Sequence, residues 1–341
     1  MYELVLWAAL VVLALAAAVW AALSLTVVLG RTLYDRRQRV SSSGRLGERE
    51  ALRLIRRAGG RPRTDWGSWR RVAALTRLAR AHHSATPRLL RPALADPDPR
   101  IATAAVRALG DLGDDWAVDV LLSALREGVG SRSRIAAELE RLAPAPAQRL
   151  PALLRDWNPA VRFWGATLLG RYPGEAESSL IALTWDPDPN VRAAAVESLG
   201  SCSGSEVGAA VQALLDDSAW YVRVHAARAA GQVVGAPAAP SLCHLLADEQ
   251  WWVRTAAKDA LRGIGSDAVP ALLSVLMHAD AFARNGAAEV LQDIGFVDAL
   301  TADHPSSPLL ERIYAAGGER MRIAAETRAA ARPKLRPARA A

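Results

Sequence analysis

Histidine and cysteine, the side chains best suited to catalysis or metal binding, are few in this chain and widely scattered. The sequence contains six histidines and two cysteines, at His82, His83, His225, His244, His278, His304, Cys202 and Cys243. None of them shows the spacing of a metal site, and no glycine-rich phosphate loop or nucleophile motif follows a strand-like segment. The sequence therefore predicts no metal, no cofactor, no small-molecule substrate and no enzymatic activity.

Aspartate and arginine form the most regular polar pattern. In the better copies an aspartate stands five residues before an apolar anchor, Val or Ile, and an arginine often follows the anchor directly. The clearest copies are Asp156 with Arg162, Asp186 with Arg192, Asp217 with Arg223, and Asp248 with Arg254. The aspartate falls in a turn and the arginine in the first turn of the next helix. We therefore expect a structural series of capped turns and ion pairs between repeats.

Tryptophan is the more suggestive residue, because the chain has 11 tryptophans and only 3 phenylalanines. The aromatic pairs are Trp220 with Tyr221, Trp251 with Trp252, and Phe163 with Trp164. If exposed, such rings would form a strong contact for a protein partner. Alternatively, they cover the ends of short helices and complete the core, and the sequence leaves both readings open.

A unit of about 30 residues, repeated along the chain, must position these side chains. Its apolar anchor stands at residues 101, 135, 161, 191, 222, 253 and 283. A Leu or Ala follows eight residues later in the better copies, and each unit has room for two short helices with apolar residues at helical spacing. Neither helix can bury its apolar stripe alone, so the units must stack.

The recurring Asp, Val-Arg, Ala and Leu-Gly pattern resembles HEAT repeats, in particular the short bacterial HEAT-like type known from phycobilin lyases. The resemblance implies a right-handed α-solenoid whose second helices line the concave side and which holds protein partners. We therefore expect an all-α chain with about 7–8 helical hairpins at 66–300. A helical cap would follow at 301–331. No chromophore site can be carried over from the lyases.

The amino-terminal residues predict a membrane anchor. From Leu4 to Leu29 the chain has 26 uncharged residues, more than the roughly 20 that cross a bilayer. A cleaved signal peptide would need a basic region before this run, and none is present. The basic residues that follow it are Arg31, Arg36, Arg37 and Arg39. By the positive-inside rule, we expect a transmembrane helix at 1–30, the N-terminus outside and the repeats in the cytoplasm of an inner-membrane, single-pass protein.

Two basic segments flank the repeats. Residues 31–65 form a basic juxtamembrane linker with an amphipathic stretch at 45–57. This stretch either lies on anionic lipid headgroups or forms the first helix of the folded part. Residues 332–341 are basic and interrupted by proline, so we expect a disordered tail that either contacts lipid or only adds solubility.

The charge distribution argues against a nucleic-acid partner. The net charge is +7, but residues 31–100 carry +12 and residues 101–310 carry −9. A continuous basic surface is therefore not expected over the repeats. We expect a membrane-anchored cytoplasmic scaffold that recruits or regulates a membrane-associated protein, for example an integral membrane glycosyltransferase or a polysaccharide-export machine. The alternatives are a nucleic-acid-binding HEAT-like protein and a lyase-like enzyme.

Overall fold

The computed structural model describes residues 48–60, 65–142, 147–172 and 177–331. Within these ranges every regular element is a helix and no strand occurs. The all-α prediction is therefore confirmed. The chain divides into two compact units between Leu90 and Arg91. The predicted division at residue 66 stays a prediction.

The first unit contains two helices and the beginning of a third. The helices are α1 (Glu48–Gly59), α2 (Asp65–Arg80) and α3 (Thr86–Leu94), which crosses the division between the units. Helix α1 packs on α2 and buries Ala51, Leu54 and Ala58. Arg71 of α2 donates from Nε to the backbone carbonyl of Ala58 at 2.7 Å. The described part of the amphipathic stretch, from residue 48 onward, thus belongs to a packed helix of this unit.

The second unit is a succession of short helices. Its α-helices are α4 (Pro99–Leu112), α5 (Asp115–Glu127), α6 (Arg132–Arg141), α7 (Pro159–Leu169), α8 (Glu177–Leu183), α9 (Pro189–Leu199), α10 (Ser205–Ala213), α11 (Trp220–Val233), α12 (Ala239–His244), α13 (Trp251–Ile264), α14 (Val269–Val275), α15 (Ala281–Asp293), α16 (Phe296–Asp303), α17 (Pro308–Gly317) and α18 (Glu319–Ala331). Short 3-10 segments lie at Ala147–Arg155, Leu214–Asp216, Ala236–Ala238, Leu245–Ala247 and Gly265–Ala268.

Local sequence explains where several second helices begin. Asp98, Asn158 and Asp188 stand at the N-caps of α4, α7 and α9, and each side chain accepts the backbone N–H two residues on. A proline follows each cap at the first helical position, where no hydrogen bond is lost. Asp280 caps α15 by accepting the N–H of Ala283. The capped first residue of each helix thus fixes the position of the anchor residue along that helix.

The second helices of successive repeats stack on one another. Contacts join α4 to α6, α6 to α7, α7 to α9, α9 to α11, α11 to α13, α13 to α15, and α15 to α17. The anchors on these helices are buried: Ile101, Ile135, Val161, Val191, Val222, Val253 and Ala283. The residues eight positions on are buried as well where the better copies have them: Leu109, Leu169, Leu199, Ala230, Leu261 and Leu291. This repeated hairpin packing is that of an α-solenoid.

The predicted inner-membrane localisation is wrong on the structure described. The longest helix in the described ranges is α2, with 16 residues, and none is long and apolar enough to cross a bilayer. The residues that the structure describes thus contain no single-pass span and do not support the predicted membrane association. The segment 1–30 lies outside the described residues, as do Arg31, Arg36, Arg37, Arg39 and the tail at 332–341.

Candidate functional site

Three arginine–aspartate pairs connect successive repeats of the second unit, and we call them the ladder. The ladder pairs are Arg162 with Asp186, Arg192 with Asp217, and Arg223 with Asp248. In each pair the arginine donates from Nε and Nη2 to the two carboxylate oxygens, at distances of 2.7 to 3.0 Å. Each aspartate also accepts the backbone N–H two residues on. One carboxylate thus closes its own turn and holds the preceding repeat.

The middle pair shows how completely these groups are satisfied. Nη1 of Arg192 donates to the carbonyls of Asp186 and Pro187 at 2.9 and 3.4 Å. Burial alone would raise the pKa of Asp217, but hydrogen bonds from Arg192 and from the N–H of Ala219 lower it below its ordinary value. The hydrogen bond to Asp217 raises the pKa of Arg192, against the opposing effect of burial. Both groups are therefore charged at neutral pH.

The pattern changes at both ends of the ladder. Ala136 stands where the preceding repeat would carry its arginine. Asp156 instead forms an ion pair with Arg126, whose Nε lies 3.5 Å from Oδ2 of Asp156. At the other end, His278 stands where the next aspartate would be, and Arg254 has no acidic partner in the part of the chain that the structure describes. Asp156 and Arg254 therefore make other contacts than the repeated pair.

The turns closed by these side chains also carry a row of exposed apolar residues, which we call the exposed edge. It consists of Trp157, Trp185, Trp220, Trp251, Trp252, Met277 and Phe282, on five successive repeats. Trp157 and Trp185 are 88% and 79% exposed. Each member lies within four residues of a turn aspartate or of His278. That proximity to the repeat turns is the signal by which Trp157, Trp185, Met277 and Phe282 could have been singled out from the sequence.

The aromatic pairs predicted from the sequence form edge-to-face contacts within their own repeats. Ring centroids are 5.7 Å apart for Trp220 and Tyr221, 4.7 Å for Trp251 and Trp252, and 5.1 Å for Phe163 and Trp164. The tryptophans of the first two pairs are exposed, whereas Tyr221, Phe163 and Trp164 are half-buried. No ring contact links the two exposed pairs to each other in the described chain.

Two of the titratable residues considered for chemistry, Cys243 and His225, have pKa values shifted by burial. Burial raises the pKa of the Cys243 thiol to about 12, so it is protonated at neutral pH. Burial also lowers the pKa of His225, although Glu197, whose Oε2 lies 3.6 Å from Nδ1, acts in the opposite direction. Within the described ranges no three metal-binding side chains come together.

Charged side chains on the second helices are largely paired within the chain. Arg262 of α13 donates to Asp259, Glu289 and Asp293 at 2.6 to 2.9 Å, and Lys258 donates to Glu289 at 2.8 Å. These contacts join α13 to α15. A basic surface for phosphates is therefore not formed by these two cations.

A family model described as HEAT repeats matches residues 63–140, 146–216 and 207–292. No curated protein matches the chain. Solved structures of similar fold include the Escherichia coli protein YibA, which is 17% identical with a TM-score of 0.43; the match covers 77% of this chain and 96% of YibA.

Two further solved structures resemble the chain at similarly low sequence identity. Human deoxyhypusine hydroxylase in complex with glycerol is 18% identical with a TM-score of 0.31, over 73% of this chain and 97% of that one. A mutant of Kap121p is 13% identical with a TM-score of 0.48, over 83% of this chain and 37% of Kap121p. Likenesses at this level assign no function.

Proposed function

Since this chain belongs to the HEAT-repeat family, we propose that it is a non-enzymatic scaffold that binds a partner protein and recruits or regulates it. The exposed edge is the contact surface in this proposal. Phe163 and Trp164 are half-buried and are secondary to it.

The observation that carries the proposal is the concentration of large apolar side chains along one set of turns. Seven such residues are exposed on five successive repeats, whereas the remaining large apolar residues of these repeats are mostly buried. Folded proteins rarely leave extended apolar patches in contact with water, and those that persist commonly mark interaction sites. Tryptophan is also the residue most enriched among binding hot spots.

The rigidity of the turns supports the same function. Each ladder aspartate holds its own backbone and the preceding arginine, so the neighbouring tryptophans project from ordered segments. A contact surface that is already ordered loses less conformational entropy on binding than a flexible loop does. The ladder therefore favours binding by the edge without contacting the partner itself.

The test uses a displayed library of random peptides selected on the full-length chain. In the variant, Trp220, Trp251 and Trp252 are replaced together by alanine, and Tyr221 is kept because it is half-buried. A hot-spot tryptophan contributes at least about 2 kcal/mol, roughly 30-fold in affinity. We expect selected peptides to bind the variant at least 30-fold more weakly.

Trp66→Ala is the matched control, because Trp66 is also exposed but lies in the first unit. It should leave the selected peptides' affinity unchanged. Circular dichroism and thermal unfolding should be close to wild type for all variants, since exposed side chains contribute little to stability. Unchanged peptide binding by the triple variant would refute the exposed edge as the contact surface.

A further inference from the structure

Arg254 keeps the backbone contacts of the three ladder arginines but lacks their carboxylate partner within the described chain. Its Nη1 donates to the carbonyls of Asp248 and Glu249 at 2.7 and 3.1 Å, the contact that each ladder arginine makes with its own turn. The guanidinium is thus held by backbone in the same manner. Its Nε and Nη2 edge, however, receives no carboxylate from the described chain.

His278 replaces the aspartate that would complete the pair. Its Nδ1 accepts the backbone N–H of Asp280 at 3.0 Å, which reproduces the turn-closing bond of the ladder aspartates. The imidazole therefore preserves the turn but supplies no negative charge to Arg254. Asp280 itself is engaged at the N-cap of α15, where it accepts the N–H of Ala283 at 2.8 Å.

Arg254 also stands next to the exposed edge. Its Cζ lies 5.0 Å from the ring centroid of Phe282, which is 66% exposed. Trp251 and Trp252 precede it on the same helix and are exposed as well. A guanidinium held by backbone carbonyls beside an aromatic ring can bind a carboxylate in bidentate fashion.

We propose that Arg254 is the receptor for an aspartate or glutamate side chain of the protein partner, bound as the ladder arginines bind their own aspartates. This inference rests on the proposed function and adds the chemistry of the partner: an acidic side chain flanked by apolar residues. A phosphate group fits less well, because Asp216 and Glu249 are exposed along the same edge and would repel its second charge.

The first test places the carboxylate within the chain. His278→Asp supplies a charged acceptor in the ladder register, and His278→Asn is the matched control because it keeps the turn acceptor without the charge. We expect His278→Asp to unfold about 2–4 °C higher than His278→Asn. In an Arg254→Gln background this difference should disappear, as a double-mutant cycle requires for a direct pair. An equal difference in both backgrounds would overturn the proposal.

The second test uses the displayed random peptides on the full-length protein. Wild type should enrich peptides with Asp or Glu beside aromatic or aliphatic residues. Arg254→Gln should lose that enrichment, Arg254→Lys should weaken it because the fork is lost, and His278→Asp should abolish it by occupying the receptor. Arg284→Gln is the control, since Nη1 of Arg284 donates to its turn carbonyls in the same way but no ring contact accompanies it.

The outcomes separate this inference from the proposed function. If edge-dependent peptides are selected but carry no acidic preference, the scaffold function stands and the receptor is refuted. Acidic enrichment that persists in both Arg254→Gln and His278→Asp, or that falls equally in Arg284→Gln, also refutes it. If no peptide binds, the exposed edge loses its support, and the thermal double-mutant cycle alone decides whether Arg254 binds a carboxylate.

Discussion

Breaking the middle pair of the ladder should cost far more than breaking an ordinary surface ion pair. The side chains of Arg192 and Asp217 are only 14% and 6% exposed, and they meet through two hydrogen bonds of 2.7 and 2.8 Å. Removing one partner of a buried pair costs about 3–5 kcal/mol, because the other charge stays buried and unpaired. Exposed pairs contribute less than about 1 kcal/mol.

For Arg192→Met we therefore expect a loss of about 3 kcal/mol in the free energy of unfolding, with partial exposure of the arginine lowering the figure. The two bonds from Nη1 to turn carbonyls contribute about 1 kcal/mol of this loss. Asp217→Asn should cost about 2 kcal/mol, because the amide oxygen can still accept the N–H of Ala219. The double variant should reveal a coupling of about 2 kcal/mol.

The assay is urea unfolding of the full chain, followed by circular dichroism. The transition of Arg192→Met should also broaden, since weakening one interface between repeats reduces cooperativity along the array. Because the pKa of Asp217 is lowered in the folded state, the pair stabilises the fold above the ordinary carboxyl pKa of about 4 and loses this effect as pH falls through the lowered value. A coupling below about 0.5 kcal/mol at neutral pH would refute the assignment of a buried pair.

Two further predictions concern packing and pH. Gly231→Ala should destabilise the protein by about 1–3 kcal/mol in urea, because the added Cβ would lie 2.9 Å from Cβ of Ala260 in the neighbouring helix. Gly263→Ala, which meets no atom within 4 Å, should instead stabilise it by about 0.5–1 kcal/mol, and the opposite order would contradict the close approach of α11 and α13. Since burial lowers the pKa of His225, stability should fall as pH drops below about 6.5 toward the lowered value. His225→Gln should flatten this part of the stability–pH curve, and an unchanged curve would assign the dependence to another group.

The helical repeat could be predicted from the sequence because buried positions recur at nearly constant intervals. Val191 and Leu199 are eight residues apart, fall on one face of a helix, and are both fully buried. The same spacing persists through Val253 and Leu261 two repeats later. The HEAT-repeat match across residues 63–292 confirms this interpretation. The buried positions can be predicted from the spacing of apolar residues alone, without knowledge of the tertiary contacts that each helix makes.

The partners of individual charges were harder to predict, because a repeated pair forms only where both positions hold the right residue. Ala136 removes one arginine, and Asp156 takes Arg126 from a different helix. His278 removes one aspartate while keeping the turn, so Arg254 makes a different set of contacts. Both substitutions are visible in the sequence once the register is fixed. The replacement contact from Arg126 depends on the three-dimensional path of α5 and could not be derived from spacing.

Exposure of the aromatic rings depends on tertiary neighbours, and the sequence therefore left it open. Trp157 and Trp164 lie seven residues apart in the same repeat, yet Trp157 is 88% exposed and Trp164 is half-buried. The first stands in the turn before α7, whereas the second is on α7, which packs against α9. Composition alone could not distinguish them, because it counts both simply as tryptophans; their neighbours differ, since Trp157 follows Asp156 and Trp164 follows Phe163.

The ladder and the exposed edge share the same turns, so a change in the ladder should affect the affinity of the edge for a partner. Asp217 and Asp248 each hold the turn that leads directly into Trp220 or Trp251. Loosening such a turn should therefore weaken partner binding without removing any contacting side chain, because the edge would have to be ordered on association. At Arg254 the backbone contacts are the same, but the fork that fixes a neighbouring repeat elsewhere meets no carboxylate of the described chain. A repeat that ends the ladder is thus the place where a stabilising contact can become a recognition contact.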